Sequence, residues 1–419
     1  MKLFFYTMLY ALWLTPASAA DEPSLGSNLT GLLDYAREHN PDLAATRLEA
    51  EAATERIYPA SALPDPIFRA ELRDISKRGD RFPSLLPNQV GSTEYQAAQT
   101  LPFWGKRGLK RDVASAEADQ ARGRTGTAWA GLSARIKTVF AQYYLLAHSE
   151  KITQEILDLT SNLERIAQSR YATGLAAQQD VIRAQVEQTV LRRALVMLQL
   201  DHHHAMTRLN TLLPRSPHAP LAEPQNLRLL PAPDKLTFAI LENRLRTNNP
   251  QLFTLDAQVA AAEKNRELVL KNRYPDFTLG VSPIQTGNRI NEWRVMIEMN
   301  IPLQQQSRRA QEREADTLLA AVQTRKVAAA NQMVSDLAES LLALDAARQI
   351  ETLNAGSLLP QSEITFQAAL SGYETGKVDF ATLLDAQRQI LKAKLDVLNA
   401  QVEAQARLAE IEKLLGEEL

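Results

Sequence analysis

The chain has 419 residues, enough for two ordinary domains, with 23% charged residues, as in an average folded protein, and a formal net charge of −2. This balance provides no basic field, so no nucleic-acid partner is expected. The chain contains no cysteine, which excludes disulfides, thiolate metal sites, cysteine nucleophiles and a lipid attached to an N-terminal cysteine.

The first 20 residues are organised like a secretory signal peptide. Lys2 precedes an apolar run at Leu3–Leu14, and small residues at cleavage spacing follow at Thr15–Ala20. The alternative, a short buried core segment, does not explain the order of these three regions. We therefore expect an exported protein. No other stretch approaches the roughly 20 apolar residues of a spanning helix.

Proline divides the remaining sequence into two helical parts and a linker. None occurs from Phe103 to Leu213 or from Leu303 to Leu359, and both stretches are rich in residues that favour helix. Between them, Leu212–Lys235 contains six prolines, which predicts an extended linker.

The two sides of this linker are similar in sequence. His39–Leu43 (HNPDL) matches Asn248–Leu252 (NNPQL), and Arg170–Gln185 aligns without a gap with Gly372–Gln387, 202 residues later. We infer a tandem duplication of about 200 residues, much longer than a solenoid repeat. The predicted organisation is a signal peptide (1–20), a first repeat (21–213), a crossover linker (214–235) and a second repeat (236–419).

Each repeat contains two strand-like segments, near 67–74 and 93–103 and then near 276–284 and 292–301. Their apolar and polar residues alternate, as transmembrane barrel strands do. For any single segment, the alternative is a strand of an ordinary antiparallel hairpin with one solvent-exposed face. A two-stranded hairpin, however, is only marginally stable by itself. Four strands cannot close around a useful lumen, so several chains would have to contribute.

The helical stretches are unusually long. Gly105–Tyr171 would extend about 100 Å at ~1.5 Å per residue. The last helix carries apolar residues every seven positions, which favours helix packing with a left-handed supercoil. Each repeat also contains a Y-x-T-G turn, at 171–175 and 373–377, whose glycines, Gly174 and Gly376, can adopt the left-handed conformation that ends a helix.

Taken together, the duplicated turn, the proline-rich crossover, the four strands and the exported N-terminus resemble the TolC-type outer-membrane efflux proteins. The resemblance covers essentially all of the mature chain. It implies a mainly α fold with β: long antiparallel helical hairpins that form an α-helical tunnel, plus four transmembrane strands per chain in a 12-stranded β-barrel shared by a homotrimer. It also implies a passive exit duct in the cell outer membrane, embedded in outer-membrane lipid and extending into the periplasm. The expected partners are a periplasmic adaptor (membrane fusion protein) and an inner-membrane pump of the resistance–nodulation–division class.

Three stretches are similar to the heavy-metal (CzcC-like) branch: Leu63–Pro66, Leu101–Gly108 and Thr382–Arg388. They imply heavy-metal cations as the cargo. A duct for drugs or for type I protein secretion is an alternative, and a periplasmic coiled-coil adaptor or structural protein is a more distant one, because it would not explain the strands or the duplication.

The resemblance also implies functional residues. A hydrogen bond between Asp180 and Tyr373 would form a gate latch, whereas Val378 stands where members often have a second latch arginine. Thr382 and Asp385 would line a cation-selective constriction. The surface that docks the adaptor would comprise the residues at the tips of both turns: Thr173, Gly174, Leu175, Thr375, Gly376 and Lys377. The alternatives are a favourable helix-terminus charge for Asp180, a solvated surface position for Asp385, and simple helix capping for the turns.

The sequence contains no motif of an enzyme. G-x-S-x-G, P-loop and HExxH patterns are missing, and a duct requires neither an active site nor a cofactor. His202–His204 is the only metal-like feature, but consecutive helical residues point about 100° apart and cannot converge on one ion. We therefore predict no metal site and interpret this run as helix surface.

Overall fold

The structure is a computed structural model that describes residues 25–75 and 83–419. The predicted signal peptide lies outside these residues. The first half of the chain contains, in order, α1 (Leu29–His39), α2 (Pro41–Glu55), α3 (Ile57–Ser61), β1 (Ile67–Arg73), β2 (Ser92–Leu101), α4 (Lys106–Ala172) and α5 (Gln178–Leu212). The second half contains a 3₁₀ turn (Pro233–Leu236), α6 (Phe238–Asn248), α7 (Pro250–Lys271), β3 (Phe277–Thr286), β4 (Arg289–Met299), α8 (Gln305–Leu353), a π-helical segment (Asn354–Leu358), α9 (Leu359–Glu374) and α10 (Phe380–Leu415).

Each half begins with a short helix pair that is broken by an asparagine followed by proline. The Asn40 side chain accepts a hydrogen bond from the backbone N–H of Leu43 at 3.0 Å, and Asn249 accepts one from Leu252 at 2.7 Å. Both asparagines also donate to a carbonyl near the end of the last helix in their own half. Proline suits the next position because its missing N–H would be unpaired there in any case. The repeated cap is consistent with the predicted duplication.

The long helices pack as hairpins. α4 is 67 residues long, about 100 Å, and it packs antiparallel to α5. In the second half, α8 and α9 continue through the π-helical segment and pack against α10. None of the helices in the described part of the chain combines the length and apolar character that crossing a bilayer requires.

Three clusters of buried apolar side chains lie along these hairpins. One lies in the first half, between α1, α4 and α5, and a second lies in the second half, between α6, α8 and α10. The third joins the two halves near the turns, where Leu163 of α4 and Leu191 of α5 meet Phe366 of α9 and Leu383 of α10. The turn ends of both hairpins are therefore packed against each other within one chain.

A buried ionic cluster fixes the crossover linker between the halves. The Lys137 ammonium of α4 lies 2.9 Å from the Glu412 carboxylate of α10, and both side chains are almost fully buried. Arg228 of the linker donates to both oxygens of Glu412 at 2.8 Å. Isolated charges are costly to bury. The position of the linker is therefore fixed by the need to place Arg228 beside Glu412, opposite Lys137.

The four strands form one antiparallel sheet in the order β1-β2-β3-β4. The register places Phe68, Ala97, Val281 and Val295 in one row across it. Since neighbours across a ladder share a face, this face carries most of the apolar residues of the four strands. Trp293, Val295 and Ile297 are each at least 70% exposed.

The opposite face of the sheet is polar. Glu94 of β2 accepts hydrogen bonds from Arg73 of β1 at 2.9 Å and from Arg294 of β4 at 2.7 Å. Arg294 reaches Glu94 across β3, where Ile284 pairs with Glu94 and Ser282 pairs with Arg294. The sheet therefore separates an apolar surface from a charged one.

Candidate functional site: the helical turns and their gate contacts

Both Y-x-T-G turns close in the same way. The backbone N–H of Leu175 bonds to the Arg170 carbonyl at 2.8 Å, and that of Gly174 bonds to the Tyr171 carbonyl at 3.0 Å. Lys377 and Gly376 make the equivalent bonds at 2.8 and 3.0 Å. This pair of bonds is the Schellman motif, which requires a left-handed residue after the helix. Gly174 and Gly376 have φ of +74° and +76°, so both positions require glycine.

The tips of the turns are exposed. All six residues of the predicted docking surface are exposed, and Leu175 is 67% exposed. The threonine hydroxyls point back into the helix ends, where Thr173 donates to the Ser169 carbonyl and Thr375 donates to the Ser371 carbonyl. Helix capping therefore uses the threonine hydroxyls and leaves the tips of the turns exposed.

Asp180 and Tyr373 are in contact. The Tyr373 hydroxyl donates to the Asp180 carboxylate at 3.4 Å. The tyrosine is only 3% exposed, and its ring lies against Phe380 with 5.1 Å between centroids. Burial, together with the negative charge of Asp180, raises the pKa of Tyr373 to about 12. The phenol is therefore a neutral donor at physiological pH.

The local structure of α5 explains why Asp180 is free for this contact. α10 begins with Asp379, whose side chain caps the helix by accepting from the Thr382 N–H at 2.9 Å. The matching N-cap position of α5 is Ala177, which has no side-chain cap. Asp180 instead lies three residues inside the helix, where the helix dipole favours an anion and its carboxylate can reach across to the second turn.

Arg170 adds a contact that the sequence analysis did not identify. Its Nη1 donates to the Glu374 carbonyl of the second turn at 2.5 Å, and its guanidinium lies 5.1 Å from the centre of the Tyr373 ring. A cation over an aromatic face is attractive. Arg170 therefore links the first turn directly to the second. In the sequence, the indication of this role was its position at the start of the repeated turn motif.

Val378 does not supply a second polar latch. Its backbone N–H bonds to the Gly372 carbonyl at 3.2 Å, and a Cβ added at Gly372 would lie 2.6 Å from its side chain. The valine therefore fills the space beside Gly372 at the end of α9.

The two predicted constriction residues share the exposed side of α10. Thr382 and Asp385 are both exposed, while Leu383 and Leu384 are buried. Asp385 lies beside an open groove of 570 Å³ between the starts of α5 and α10. It is not an isolated charge, because Arg388 Nη1 lies 3.4 Å from its carboxylate.

Arg388 also bonds to Glu187 of α5, a contact that the sequence analysis missed. Two of its nitrogens, Nη2 and Nε, donate to one Glu187 oxygen at 2.5 and 3.0 Å. The hydrogen bonds that Arg388 donates to Glu187 raise the pKa of the arginine above its usual range. Glu187 lies between Ala184 and Leu191 on the buried face of α5. A charged residue among apolar residues on one helix face indicates an oppositely charged partner, and this pattern could have been read from the sequence.

The histidine run does not converge. His202 stacks on Tyr143 with ring centroids 4.7 Å apart, and burial lowers its pKa. His203 and His204 are exposed. Among residues 25–75 and 83–419, no group of three or more His, Asp or Glu side chains is placed to hold a metal ion.

Comparison with known proteins identifies the family. The profile described as "Outer membrane efflux protein" matches residues 32–214 and 241–417. The chain belongs to the outer membrane efflux protein family. The family consists of passive channels rather than enzymes, so the chain is an efflux channel of the outer membrane that works in tripartite pumps and extends into the periplasm.

Two relatives of this efflux channel are named for metal resistance and for pyoverdine export. The cobalt-zinc-cadmium resistance protein CzcC of Cupriavidus metallidurans is 23% identical over 93% of this chain and 90% of its own length. The pyoverdine export outer membrane protein OpmQ of Pseudomonas putida is 24% identical over 87% of this chain and 81% of its own length.

Solved channels have the same fold. VceC of Vibrio cholerae superposes with a TM-score of 0.78 at 18% identity, covering 93% of this chain and 96% of VceC. CusC gives a TM-score of 0.79 at 16% identity, covering 93% and 92%. The expected fold class, long helical hairpins with a small antiparallel sheet as in TolC-like trimeric channels, is confirmed.

Proposed function

We propose that this efflux channel passively conducts heavy-metal cations from an inner-membrane pump of the resistance–nodulation–division class, through a periplasmic adaptor, to the cell exterior. The observation that supports the cargo best is the similarity to the cobalt-zinc-cadmium resistance protein CzcC, which extends over 93% of this chain. The exposed Asp385 on the constriction side of α10 is compatible with a cationic cargo.

The constriction would act through local potential. Three chains would contribute three Asp385 carboxylates around one axis, and such a ring favours cations. Each carboxylate lies 3.4 Å from the Arg388 guanidinium, so its field is partly cancelled in the closed arrangement. A weak field suits a duct, because the cargo must leave as readily as it enters.

The gate would lie at the turns, where Asp180 and Tyr373 join the first hairpin to the second. A charge-assisted hydrogen bond can contribute a few kcal/mol at most, and at 3.4 Å this one is long. Such a contact can hold a closed tip and still be released when the adaptor binds. The six exposed residues at the tips of the turns provide the docking surface for that adaptor.

Exposed apolar residues indicate how three chains and the lipid would be arranged. Large apolar side chains are exposed on α5 and on the α8–α9 helix, as expected for faces that meet another copy of the chain: Ile182, Val186 and Val190 on α5 and Leu342, Leu353 and Ile364 on α8–α9. The apolar face of the sheet, with Trp293 and Val295, would contact outer-membrane lipid. Three such sheets would supply the twelve strands predicted.

A second cargo class is supported by the OpmQ relative, which is named for pyoverdine export. An organic cargo of that kind would place no demand on an acidic constriction. The two alternatives therefore differ in the importance of Asp385.

The test compares the natural host with a deletion strain. We expect the deletion to lower the tolerated concentration of cobalt, zinc or cadmium, and the intact gene to restore it. Asp385→Asn, an exposed substitution that preserves shape, should restore it only in part, whereas Glu403→Gln on the exposed side of the same helix should restore it fully. Unchanged metal tolerance together with lost export of a siderophore or drug would reject the metal proposal and favour the organic cargo.

A further inference from the structure

We propose that the ion pair between Arg388 and Glu187 is the principal contact that keeps the tip of each chain closed. This inference rests on the proposed function as a gated channel. The pair joins α5 of the first hairpin to α10 of the second, just behind the turns. A ring of packed hairpins can widen at its tip only if neighbouring hairpins separate or slide, so a contact across this junction opposes opening.

The geometry makes this pair stronger than the Tyr373–Asp180 contact. Two guanidinium nitrogens of Arg388 donate to Glu187, at 2.5 and 3.0 Å, and both partners are charged. The phenol of Tyr373 is neutral and lies 3.4 Å from Asp180. Both contacts have an ionised acceptor, but the Arg388 pair has two shorter hydrogen bonds and the attraction of opposite charges, whereas the Tyr373 contact has one long hydrogen bond.

Burial makes the pair costly to break. The Glu187 side chain is only 5% exposed, and it lies in the apolar column of α5 that packs towards α10. A buried carboxylate that loses its partner keeps the penalty of its burial and loses the attraction. Separation of α5 from α10 would therefore require water to reach Glu187.

Arg388 and Glu187 differ in the interactions that remain to them when the hairpins separate. The Arg388 side chain is 56% exposed and already lies 3.4 Å from Asp385 on its own helix. It would retain that carboxylate and solvent in an open tip, whereas Glu187 would depend on solvent alone. The asymmetry predicts that removal of the arginine opens the tip more than removal of the glutamate does.

The experiment measures the open fraction of the purified full-length trimer in planar bilayers. Arg388→Gln should raise the open fraction on the order of tenfold or more, because it leaves Glu187 buried and unpaired. Glu187→Gln should raise it less. The double variant should be closer to wild type than Arg388→Gln alone, because the orphaned charge is gone. Arg407→Gln, which breaks an exposed pair with Glu403 on the same helix, is the matched control.

A charge swap protects the test against variants that fail to assemble. Glu187→Arg combined with Arg388→Glu keeps a pair at the same place, and it should restore a closed tip in a trimer of normal gel mobility. Equal open fractions for Arg388→Gln and Arg407→Gln, or additive effects in the double variant, would overturn the proposal. A wild-type trimer that forms no conducting pore would instead reject the channel function itself, so the two failures are distinguishable.

Discussion

The Tyr373–Asp180 latch can be tested by removing a single oxygen atom. Tyr373→Phe deletes the hydroxyl and keeps the ring, which packs 5.1 Å from Phe380 and lies beneath the Arg170 guanidinium. A hydrogen bond to a charged group contributes about 1.5–3 kcal/mol when its geometry is good. The observed 3.4 Å is long for an O–H donor, so we expect about 0.5–1 kcal/mol per chain.

A trimer contains three such hydrogen bonds, so their free energies add. If the three chains open together, the closed state loses about 1.5–3 kcal/mol, which is roughly a 10- to 100-fold change in the closed-to-open equilibrium. Single-channel recording of the trimer in planar bilayers measures this as a longer open time. Asp180→Asn should have a similar effect, and the double variant should add little, because both changes remove the same bond.

Tyr373→Ala is a less informative variant and serves as the contrast. It also removes a ring that is 3% exposed in the cluster joining the two hairpins, which costs about 3–5 kcal/mol by cavity formation. If Tyr373→Phe stays as closed as the wild type while Tyr373→Ala opens, then core packing holds the tip and the latch assignment is wrong.

Three further predictions follow from the same region and from the buried cluster. Burial and the negative charge of Asp180 raise the pKa of Tyr373 from 10.0 to about 12, so the contribution of the neutral phenol to stability is complete below pH 10 and is lost as the pH rises through 12. A phenolate absorbance titration, compared with that of Tyr373→Phe, should show one tyrosine that ionises near pH 12. Ionisation of Tyr373 near pH 10 would contradict this. Gly174→Ala and Gly376→Ala should each destabilise the trimer by about 1–2 kcal/mol because of their positive φ. The control in thermal melting is Gly108→Ala, which lies inside α4 with open space around it and should not lower stability, because alanine favours helix. Lys137→Met should cost about 3–5 kcal/mol by leaving Glu412 with less of its compensating charge, and a Lys137→Met/Glu412→Gln double variant that melts no higher would contradict this.

Much of the fold can be predicted from the sequence because the patterns that specify the helices, strands and turns are local. Absence of proline and abundance of helix-forming residues predicted a helix at Gly105–Tyr171, and α4 spans Lys106–Ala172. Alternation in β4 predicted which residues share a face, and the register places Val295 in the same row as Val281 and Phe68. Glycine at a helix end predicted the left-handed turns.

The contacts between the two hairpins depend on packing between distant segments, so local patterns do not reveal them. Glu187 and Arg388 are 201 residues apart, and Arg170 and Glu374 are 204 apart. Which helix faces meet across α5 and α10 is decided by the shared apolar cluster, which no periodicity specifies. The Tyr373–Asp180 pair was found only because a family resemblance supplied it.

The difference between the two turns explains why Asp180 can contact Tyr373. The closing bonds are the same at Gly174 and Gly376 and lie within each turn, so these bonds make no contact between the hairpins. What differs is the acid that follows. In the second repeat Asp379 is used as a helix cap, whereas in the first repeat the cap position is Ala177 and the carboxylate lies three residues later, at Asp180. That displacement leaves α5 without a side-chain cap, and it directs a charge across the junction towards Tyr373. Moving the acid back by Ala177→Asp together with Asp180→Thr should therefore strengthen α5 while it weakens the contact between the hairpins.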